Sequence, residues 1–507
     1  MDFEEREQQR RRQMIKVIIA EVGMVISIIA IVVVATLAAM GFFVTSSGRI
    51  EQSGLVQIHS APTGATVEID GNTIFSRTNL SRSLTPGEHS LKLSRDGYDT
   101  WQKNIKMSSG MLLRLYYPRL FLLNRKPEVA LQIEKELEFY LPSNDQTYIL
   151  YAASDSVVWN LINIRDDEPK VTQLDLTTVL PGVVENKFLG KVESLRWNNN
   201  SDSVLAKIAY ENKSEWILIN LKDLKQSLNL TRTFGLEFTQ VEMIDDAAAR
   251  LYALENQQLR RINISDQSIS RVLLHNISSF ANSKTNVAYV MTQTTENQET
   301  KKIIGTYRDG ENGGTTLVSA DGDATAVVAL TRYYDEDYLA YAINDELNVY
   351  YGALPSYREQ AQDTDFSGLK VLIDKTKLQT VPNSFSLSPE GEYIVASHGQ
   401  QFTVVDLEMG DLVEYEAMTS NLAWLDRAMM TAVVNEGLWV WDFDYTNQRE
   451  IARYITEGSD VKNDPITTIS KAKIANYPAV IADNNRWIYY LTESKTGLAL
   501  MRERIRD

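Results

Sequence analysis

The sequence contains no cysteine and only four histidines among its 507 residues. The lack of cysteine excludes disulfides, thiolate metal sites and cysteine nucleophiles. If the chain is exported, a large protein without cysteine is typical of a bacterial or archaeal envelope rather than of the animal secretory pathway.

Basic residues are fewer than acidic ones: the chain has 51 Lys and Arg against 67 Asp and Glu, a net charge of −16. Phosphate binding needs a basic surface, so we expect no nucleic-acid partner. The sequence has no Walker loop, no H-E-x-x-H, no G-x-S-x-G and no Rossmann glycine set. We therefore expect no catalytic residue, no cofactor and no metal site, and we predict that the protein is not an enzyme.

One long apolar run stands near the N-terminus, from Val22 to Val44, and it holds no charged residue. As a helix it would reach about 35 Å, enough to cross a hydrocarbon core of about 30 Å. We predict a cytoplasmic tail over 1–16 and a transmembrane helix over 17–45. Basic residues cluster on the cytoplasmic side of single-pass anchors, and the tail carries five of them: Arg6, Arg10, Arg11, Arg12 and Lys16. The N-terminus is thus expected inside and the rest of the chain outside.

A cleaved signal peptide is the alternative interpretation of this segment. The small residues of 35–39 would suit a cleavage site. However, the apolar run continues to Val44, beyond the roughly 7–15 residues of a signal h-region. The length favours a retained anchor.

After a linker over 46–54, residues 55–119 predict a small all-β domain. Leu55–Ser60 and Thr66–Ile69 alternate like half-buried strands, and Asp70-Gly71 is a strong hairpin signal. Further strands are expected over Ser90–Ser94 and near Gln102–Met107, separated by turns.

Four turn elements of this domain resemble the PEGA family. They are Pro62-Thr63-Gly64-Ala65, Asp70-Gly71, Pro86-Gly87-Glu88-His89 and Gly97-Tyr98, in that order. Thr63 replaces the Glu for which the family is partly named. The resemblance implies a β-sandwich that serves as a spacer or interaction module on prokaryotic surface proteins, without chemistry of its own. We accordingly expect structural roles for His59 and His89.

From 120 to 507 the chain consists of short β-rich runs separated by polar turns. The sharpest unit places two strands around the turn Ser388-Pro389-Glu390-Gly391 and two more around a Met409-Gly410 turn, which describes one propeller blade. Eight approximate units follow this order: Thr147–Ile164, Ser194–Leu221, Gln240–Ile264, Phe280–Tyr307, Tyr338–Tyr350, Phe385–Tyr415, Leu422–Asp442 and Ala475–Met501. We predict a seven- or eight-bladed β-propeller. A strand near Val129–Ile133 should complete the last blade, which begins near Ala475.

The turn Ser388-Pro389-Glu390-Gly391 is similar to the WD40-like repeat of TolB-type propellers, with Glu390 in place of the usual Asp. The dipeptide Trp441-Asp442 occurs once, which is too little to indicate a WD40 domain. The resemblance implies a propeller and leaves its ligand open.

Several other candidate site residues have patterns that predict ordinary structural roles. His275 and His398 are isolated in the sequence. The acidic groups at 321–323, 335–337 and 442–444 do not fit a calcium loop, so we expect solvated turns. The tryptophans, among them Trp159, Trp197, Trp216, Trp424, Trp439 and Trp487, are expected in the core, with one or two at a blade rim as a possible ligand platform.

The sequence thus predicts an all-β, membrane-anchored protein that faces outward from a prokaryotic envelope. Its propeller would be the recognition head for an envelope or surface protein or for a glycan, and the PEGA-like domain its stalk. The alternatives are an accessory role in envelope assembly, as TolB-type proteins suggest, or a propeller hydrolase whose site is assembled from several blades.

Overall fold

The computed structural model describes residues 3–39, 41–44, 50–133, 136–294, 298–358, 364–454, 467–469, 473–494 and 497–507. The chain divides into two units, Met1–Leu120 and Phe121–Asp507. Strands dominate both, as predicted.

The N-terminal helix runs from Phe3 to Ala39 and so begins earlier and ends earlier than the predicted 17–45. Gly41 follows in the left-handed region, with φ of +81°. Phe42–Val44, predicted to be helical, instead pairs as a strand with Ile50–Gln52, in keeping with the strand preference of aromatic and β-branched residues. Residues 46–49 of the predicted linker lie outside the described residues.

Met14–Leu37 is the part of this helix that is long and apolar enough to cross a membrane, and none of it is buried in the protein. An apolar helix exposed all round requires an apolar environment. This segment therefore fits a single-pass anchor or a signal sequence.

The small domain consists of two sheets. A three-stranded sheet has the order Leu80–Leu84, Gly54–Ile58 and Leu112–Leu115, and a four-stranded sheet has the order Asn72–Arg77, Thr66–Ile69, Gly87–Ser94 and Trp101–Met107. The predicted strands are present. Asn72–Arg77, Leu80–Leu84 and Leu112–Leu115 were missed because their sequences are polar or follow a turn without clear alternation.

The predicted hairpin at Asp70-Gly71 is confirmed. Both residues have positive φ, 51° and 76°, as a two-residue type I′ turn requires. Ile69 pairs with Asn72 directly across the turn. Alternate residues of the adjoining strand, Val67 and Ile69, point into the core.

The second unit contains eight sheets of at least four strands each within the described residues, numbered here in chain order. Their strands pair antiparallel, except that Arg449–Tyr454 and Thr467–Ile469 of sheet 7 pair in parallel. Sheet 1 contains Leu137–Pro142, Tyr148–Ala153, Val158–Asn163 and Lys170–Asp175; sheet 2 contains Lys191–Trp197, Ser203–Tyr210, Lys213–Asn220 and Leu228–Asn229; sheet 3 contains Phe238–Met243, Arg250–Glu255, Gln258–Asn263 and Ser268–Ile269; sheet 4 contains Ile277–Ser283, Asn286–Thr294, Thr300–Arg308 and Thr315–Asp321.

The remaining four sheets follow the same order. Sheet 5 contains Ala326–Tyr333, Glu336–Ile343, Glu346–Gly352 and Leu369–Lys377; sheet 6 contains Ser384–Leu387, Tyr393–His398, Gln401–Asp406 and Leu412–Glu416; sheet 7 contains Ala423–Trp424, Met429–Val434, Gly437–Asp442, Arg449–Tyr454 and Thr467–Ile469; sheet 8 contains Val480–Ile481, Trp487–Ser494, Gly497–Arg504 and Pro127–Ile133. Each of the eight predicted units lies within one sheet. Successive four-stranded meanders of this kind are the architecture of a β-propeller.

The last strand of sheet 8 comes from the start of the unit. Pro127–Ile133 pairs antiparallel with Gly497–Arg504, at the place that the sequence predicts. This pairing protects the outer edge of the C-terminal strands.

Apolar clusters lie between neighbouring sheets. One joins Ile149 and Ile162 of sheet 1 to Tyr489 and Leu491 of sheet 8. Another joins sheets 5 and 6, where Ala340 and Leu347 share a cluster with Ile394 and Val405. The core of the unit is thus distributed along the faces of the sheets.

Polar contacts add to these clusters. They are the Val192 N–H to Glu138 (sheets 1 and 2), Asn199 to Asp246 (sheets 2 and 3), Gln240 to Phe280 (sheets 3 and 4), Asn286 to Asp337 (sheets 4 and 5), Thr331 to Gly391 (sheets 5 and 6), Arg427 to Glu390 (sheets 7 and 6) and Arg165 to Asp483 (the loops of sheets 1 and 8).

Three local elements lie between the strands. A 3-10 turn, Leu224–Gln226, and a short helix, Leu230–Phe234, flank the last strand of sheet 2. A two-stranded hairpin, Val183–Val184 with Lys187–Phe188, precedes that sheet. None of them was predicted.

Candidate binding surface between sheets 5 and 6

The structure gives His89 a structural role in the small domain, as predicted. Its Nδ1 lies 2.6 Å from Asp70 Oδ2, and its Nε2 lies 2.8 Å from the Thr85 carbonyl oxygen. Burial opposes protonation of the ring, but the bonds to Asp70 and Thr85 outweigh it and raise the pKa of His89. The histidine therefore fastens the Asp70-Gly71 turn to the segment that precedes its own strand.

His59 stacks on Tyr116, with ring centroids 4.3 Å apart. His275 and His398 are both exposed, on different sheets or loops. Among the residues that the structure describes, no group of three or more His, Asp or Glu side chains is placed to hold a metal ion.

The prediction of solvated acidic turns is wrong for two residues. Asp337 is 7% exposed and accepts a hydrogen bond of 2.6 Å from Asn286 Nδ2. Asp442 is fully buried and accepts one of 2.8 Å from Asn447 Nδ2. Burial raises the pKa of Asp337, while the Asn286 bond opposes that rise. Asp321, Asp323 and Asp335 are exposed, in agreement with the prediction.

Most of the named tryptophans pack in the core. Trp159, Trp197, Trp216 and Trp487 are at most 9% exposed. Trp424 and Trp439 are only half-buried and lie against a cluster of sheet 7.

The strongest repeat motif lies at the junction of sheets 5 and 6. Ser388 is buried, and its Oγ accepts the Tyr393 N–H at 3.0 Å, which fixes the turn. Gly391 has φ of +72°, and a Cβ there would lie 2.3 Å from Thr331 Oγ1. Only glycine fits this position. The turn therefore allows sheet 6 to pack closely against sheet 5, and it places Glu390 and Glu392 next to sheet 5.

Four tyrosines of sheet 5 lie around this turn. Tyr334 is 62% exposed, and its ring lies 4.5 Å from that of Tyr333. Tyr333 is followed inward by Tyr338 at 6.3 Å, and Tyr338 stacks on Tyr351 at 5.7 Å. The rings form a continuous aromatic row from the solvent into the sheet.

Carboxylates of sheet 6 face this row. Tyr333 donates a hydrogen bond of 3.2 Å to Glu408. Burial, reinforced by the charge of Asp406, raises the pKa of Glu392 to about 7. Burial and the charges of Glu392 and Glu408 also raise the pKa of Tyr333. A carboxylate whose pKa is strongly raised, such as Glu392, is a feature of binding and catalytic sites.

We call Tyr333, Tyr334, Tyr338, Tyr351, Glu392 and Glu408 the tyrosine–carboxylate surface. Its tyrosine faces can stack on the apolar face of a sugar or on an aliphatic side chain. Its carboxylates can accept hydrogen bonds from hydroxyl or ammonium donors. The surface therefore suits recognition of polar ligands with apolar faces.

A second polar group lies on the first strands of sheets 2 and 3. Arg196 forms an ion pair with Glu242, to which Gln240 also donates a hydrogen bond of 3.1 Å. The Arg196 side chain is 59% exposed. Gln240 is bonded to Phe280 as well, so this group also connects neighbouring strands.

Sequence reasoning did not identify the tyrosine–carboxylate surface. The concentration of tyrosines between Tyr333 and Tyr351 was the available signal. Glu392 lies next to the motif that was singled out, but its tyrosine partners come from the preceding sheet.

Comparison with known families bears on the small domain. Residues 53–118 match the PEGA domain family. The two-sheet arrangement and the Asp70-Gly71 hairpin described above lie within this range. This segment is a PEGA domain. The match leaves the second unit unassigned, since it covers the PEGA domain alone.

Known structures resemble the chain at low identity. The C-terminal WD40 domain of Sif2 has a TM-score of 0.41 at 12% identity, covering 74% of this chain and 100% of that one. The Dos1 propeller has a TM-score of 0.41 at 11% identity, covering 76% and 96%. An oligogalacturonate lyase in complex with manganese has a TM-score of 0.37 at 11% identity, covering 74% and 99%. No curated protein matches the chain.

Proposed function

We propose that the chain is a single-pass, membrane-anchored binding protein of a prokaryotic envelope, with its PEGA domain and propeller outside. The helix holds Met14–Leu37 wholly exposed, as a bilayer anchor requires. The basic residues of the tail support an inside N-terminus. In this proposal the PEGA domain is the stalk and the propeller is the recognition head for a protein or glycan.

The observation that carries the binding role is the tyrosine–carboxylate surface. Tyr334 is 62% exposed at the end of a row of packed rings. An exposed aromatic side chain supported by rigid neighbours loses little conformational freedom on binding, which is why tyrosine is enriched among binding hot spots. The carboxylate Glu408 is held in place by Tyr333. We propose recognition rather than catalysis as the role of this surface.

Binding by the full chain in detergent tests the proposal, with a glycan array and an envelope protein extract as the two ligand sources. Tyr334→Ser is expected to weaken binding by about tenfold or more, the scale of one aromatic hot spot. Leu189→Ser removes a side chain that is 55% exposed outside this surface and is the matched control. Equal binding by both variants and the wild type would refute the role of the surface.

A further inference from the structure

The PEGA domain begins beside the end of the N-terminal helix. The Gly41 carbonyl oxygen accepts hydrogen bonds from the Ser53 N–H at 2.8 Å and from its Oγ at 2.9 Å. Phe42–Val44 pairs with Ile50–Gln52 between them. Gly54, the next residue, starts the first strand of the domain. The chain therefore returns to the helix end before the domain starts, and a spanning helix would place this strand near the bilayer.

One face of the four-stranded sheet carries an unusual exposed side chain. Phe75, on the edge strand Asn72–Arg77, is 103% exposed. Two residues of this strand, Thr73 and Arg77, lie opposite Glu68 and Thr66, which alternate with buried Val67, so both stand on the outer face of the sheet. Phe75 lies in the bulge between these two pairs, where the register of the strands shifts, and its fully exposed ring projects into solvent beside this face.

Basic residues share this outer face. Lys92 and Lys106 alternate with the buried residues of their strands, and both are exposed. Two carboxylates, Glu68 and Glu88, lie directly opposite these lysines on the neighbouring strands. Lys92 Nζ lies 3.9 Å from Glu68 Oε2. Together with Arg77 the face holds three cations, two anions and one exposed aromatic ring.

The PEGA domain differs in charge from the chain that carries it. Residues 53–118 contain seven Lys and Arg against five Asp and Glu, a net charge of +2, whereas the whole chain has −16. Basic residues near an anionic leaflet are attracted to it over about one Debye length. Aromatic side chains favour the headgroup region.

We propose that the outer face around Phe75 docks on anionic phospholipid headgroups of the bilayer that holds the helix. The proposal rests on the proposed membrane anchor. Phe75 enters the headgroup region while Arg77, Lys92 and Lys106 contact lipid phosphates. The PEGA domain is then a membrane-seated base for the propeller.

The lack of cysteine allows a direct test on the full chain in lipid nanodiscs. A polarity-sensitive fluorophore is attached to Thr73→Cys, two residues before Phe75 on the same strand, and quenched with neutral acrylamide. Replacing about one third of the phosphatidylcholine by phosphatidylglycerol is expected to reduce quenching about threefold, the order expected for a few basic residues near the surface. Phe75→Ser and the pair Lys92→Gln with Lys106→Gln should each abolish the reduction.

Two controls separate the possible failures. Lys170→Gln, on a propeller side chain that is 75% exposed, should leave the Thr73 probe protected. Retention of the chain in vesicles after an alkaline wash reports the anchor independently. A chain that washes off contradicts the proposed function, whereas a retained chain with lipid-independent quenching contradicts the docking face alone.

Discussion

Arg125 and Glu503, separated by 378 positions, form an ion pair in which Arg125 Nε lies 3.1 Å from Glu503 Oε2. The two side chains are 4% and 0% exposed. Arg125 also donates to the Ile451 carbonyl oxygen of sheet 7 at 3.0 Å, and Tyr490 donates to Glu503. The pair thus links the segment before Pro127 to sheets 7 and 8, next to the place where Pro127–Ile133 pairs with Gly497–Arg504.

Loss of this arginine should destabilise the propeller. Arg125→Met leaves Glu503 buried without its cation, which costs about 3–5 kcal/mol in comparable cases. Tryptophan fluorescence on chemical unfolding measures the loss, since seven of the eight tryptophans lie after residue 120.

Lys170→Met is the matched control for Arg125→Met, because it breaks an exposed ion pair with Asp166. Such pairs contribute about 0.2–1 kcal/mol. If Arg125→Met unfolds at the same denaturant concentration as Lys170→Met, the buried ion pair does not stabilise the pairing of Pro127–Ile133 with the C-terminal strands.

The bond between His89 and Asp70 predicts a specific titration. The raised pKa of His89 means that its contribution to stability is complete below 6.5 and is lost as pH rises through the folded value. The hydrogen bond from His89 lowers the pKa of Asp70, so the contribution of Asp70 is lost as pH falls through its own folded value, below 3.8. The pair should stabilise the PEGA domain most between these two limits.

With four histidines in the chain, His89 can be assigned by NMR from the loss of its ring signal in His89→Gln. The wild-type signal should titrate above pH 6.5, and Asp70→Asn should move that midpoint downward. An unchanged midpoint in Asp70→Asn would show that the carboxylate does not hold the imidazolium.

Glu392 should make the stability of the propeller fall as pH rises. Its pKa is raised on folding from 4.5 to about 7, so the folded state holds the proton more tightly than the unfolded chain. Glu392→Gln is expected to stabilise the protein by about 3 kcal/mol at pH 8 and by less than about 1 kcal/mol at pH 5. Denaturant midpoints at the two pH values measure this.

Glu416→Gln changes an exposed carboxylate at the end of the last strand of sheet 6 and is the control for Glu392→Gln. It should show no such pH dependence. A stabilisation by Glu392→Gln of equal size at both pH values would mean that burial of the charge is not the cause.

The strands that were predicted followed from local signals in the sequence. Alternation and turns such as Asp70-Gly71 and Ser388-Pro389 specify strands without reference to distant residues. The pairing of Pro127–Ile133 with the C-terminal strands followed from the need to cover sheet edges. The helix end was missed because apolarity continues through Val44, while the turn at Gly41 depends on the partner strand Ile50–Gln52.

The candidate surface depends on contacts that local reasoning does not reach. Tyr333 and Glu408 are 75 positions apart and meet because their sheets are neighbours. The acidic residues at 335–337 look like a solvated turn in the sequence, but Asp337 lies on the strand Glu336–Ile343, where Asn286 of the preceding sheet reaches it. In this fold, contacts between neighbouring sheets determine which side chains are buried. The sequence motifs describe the strands and turns of one sheet at a time, so they do not reveal these contacts.

In the proposed topology the tail is on the inner side of the membrane, and the PEGA domain and propeller are outside. A membrane-impermeant maleimide applied to intact cells tests it, because the chain has no cysteine of its own. Single cysteines at Gln8→Cys in the tail, Ser109→Cys in the PEGA domain and Ser386→Cys in sheet 6 are compared before and after lysis. We predict labelling of positions 109 and 386 in intact cells and of position 8 only after lysis. Labelling of position 8 in intact cells, or of 109 and 386 only after lysis, would contradict the proposed orientation.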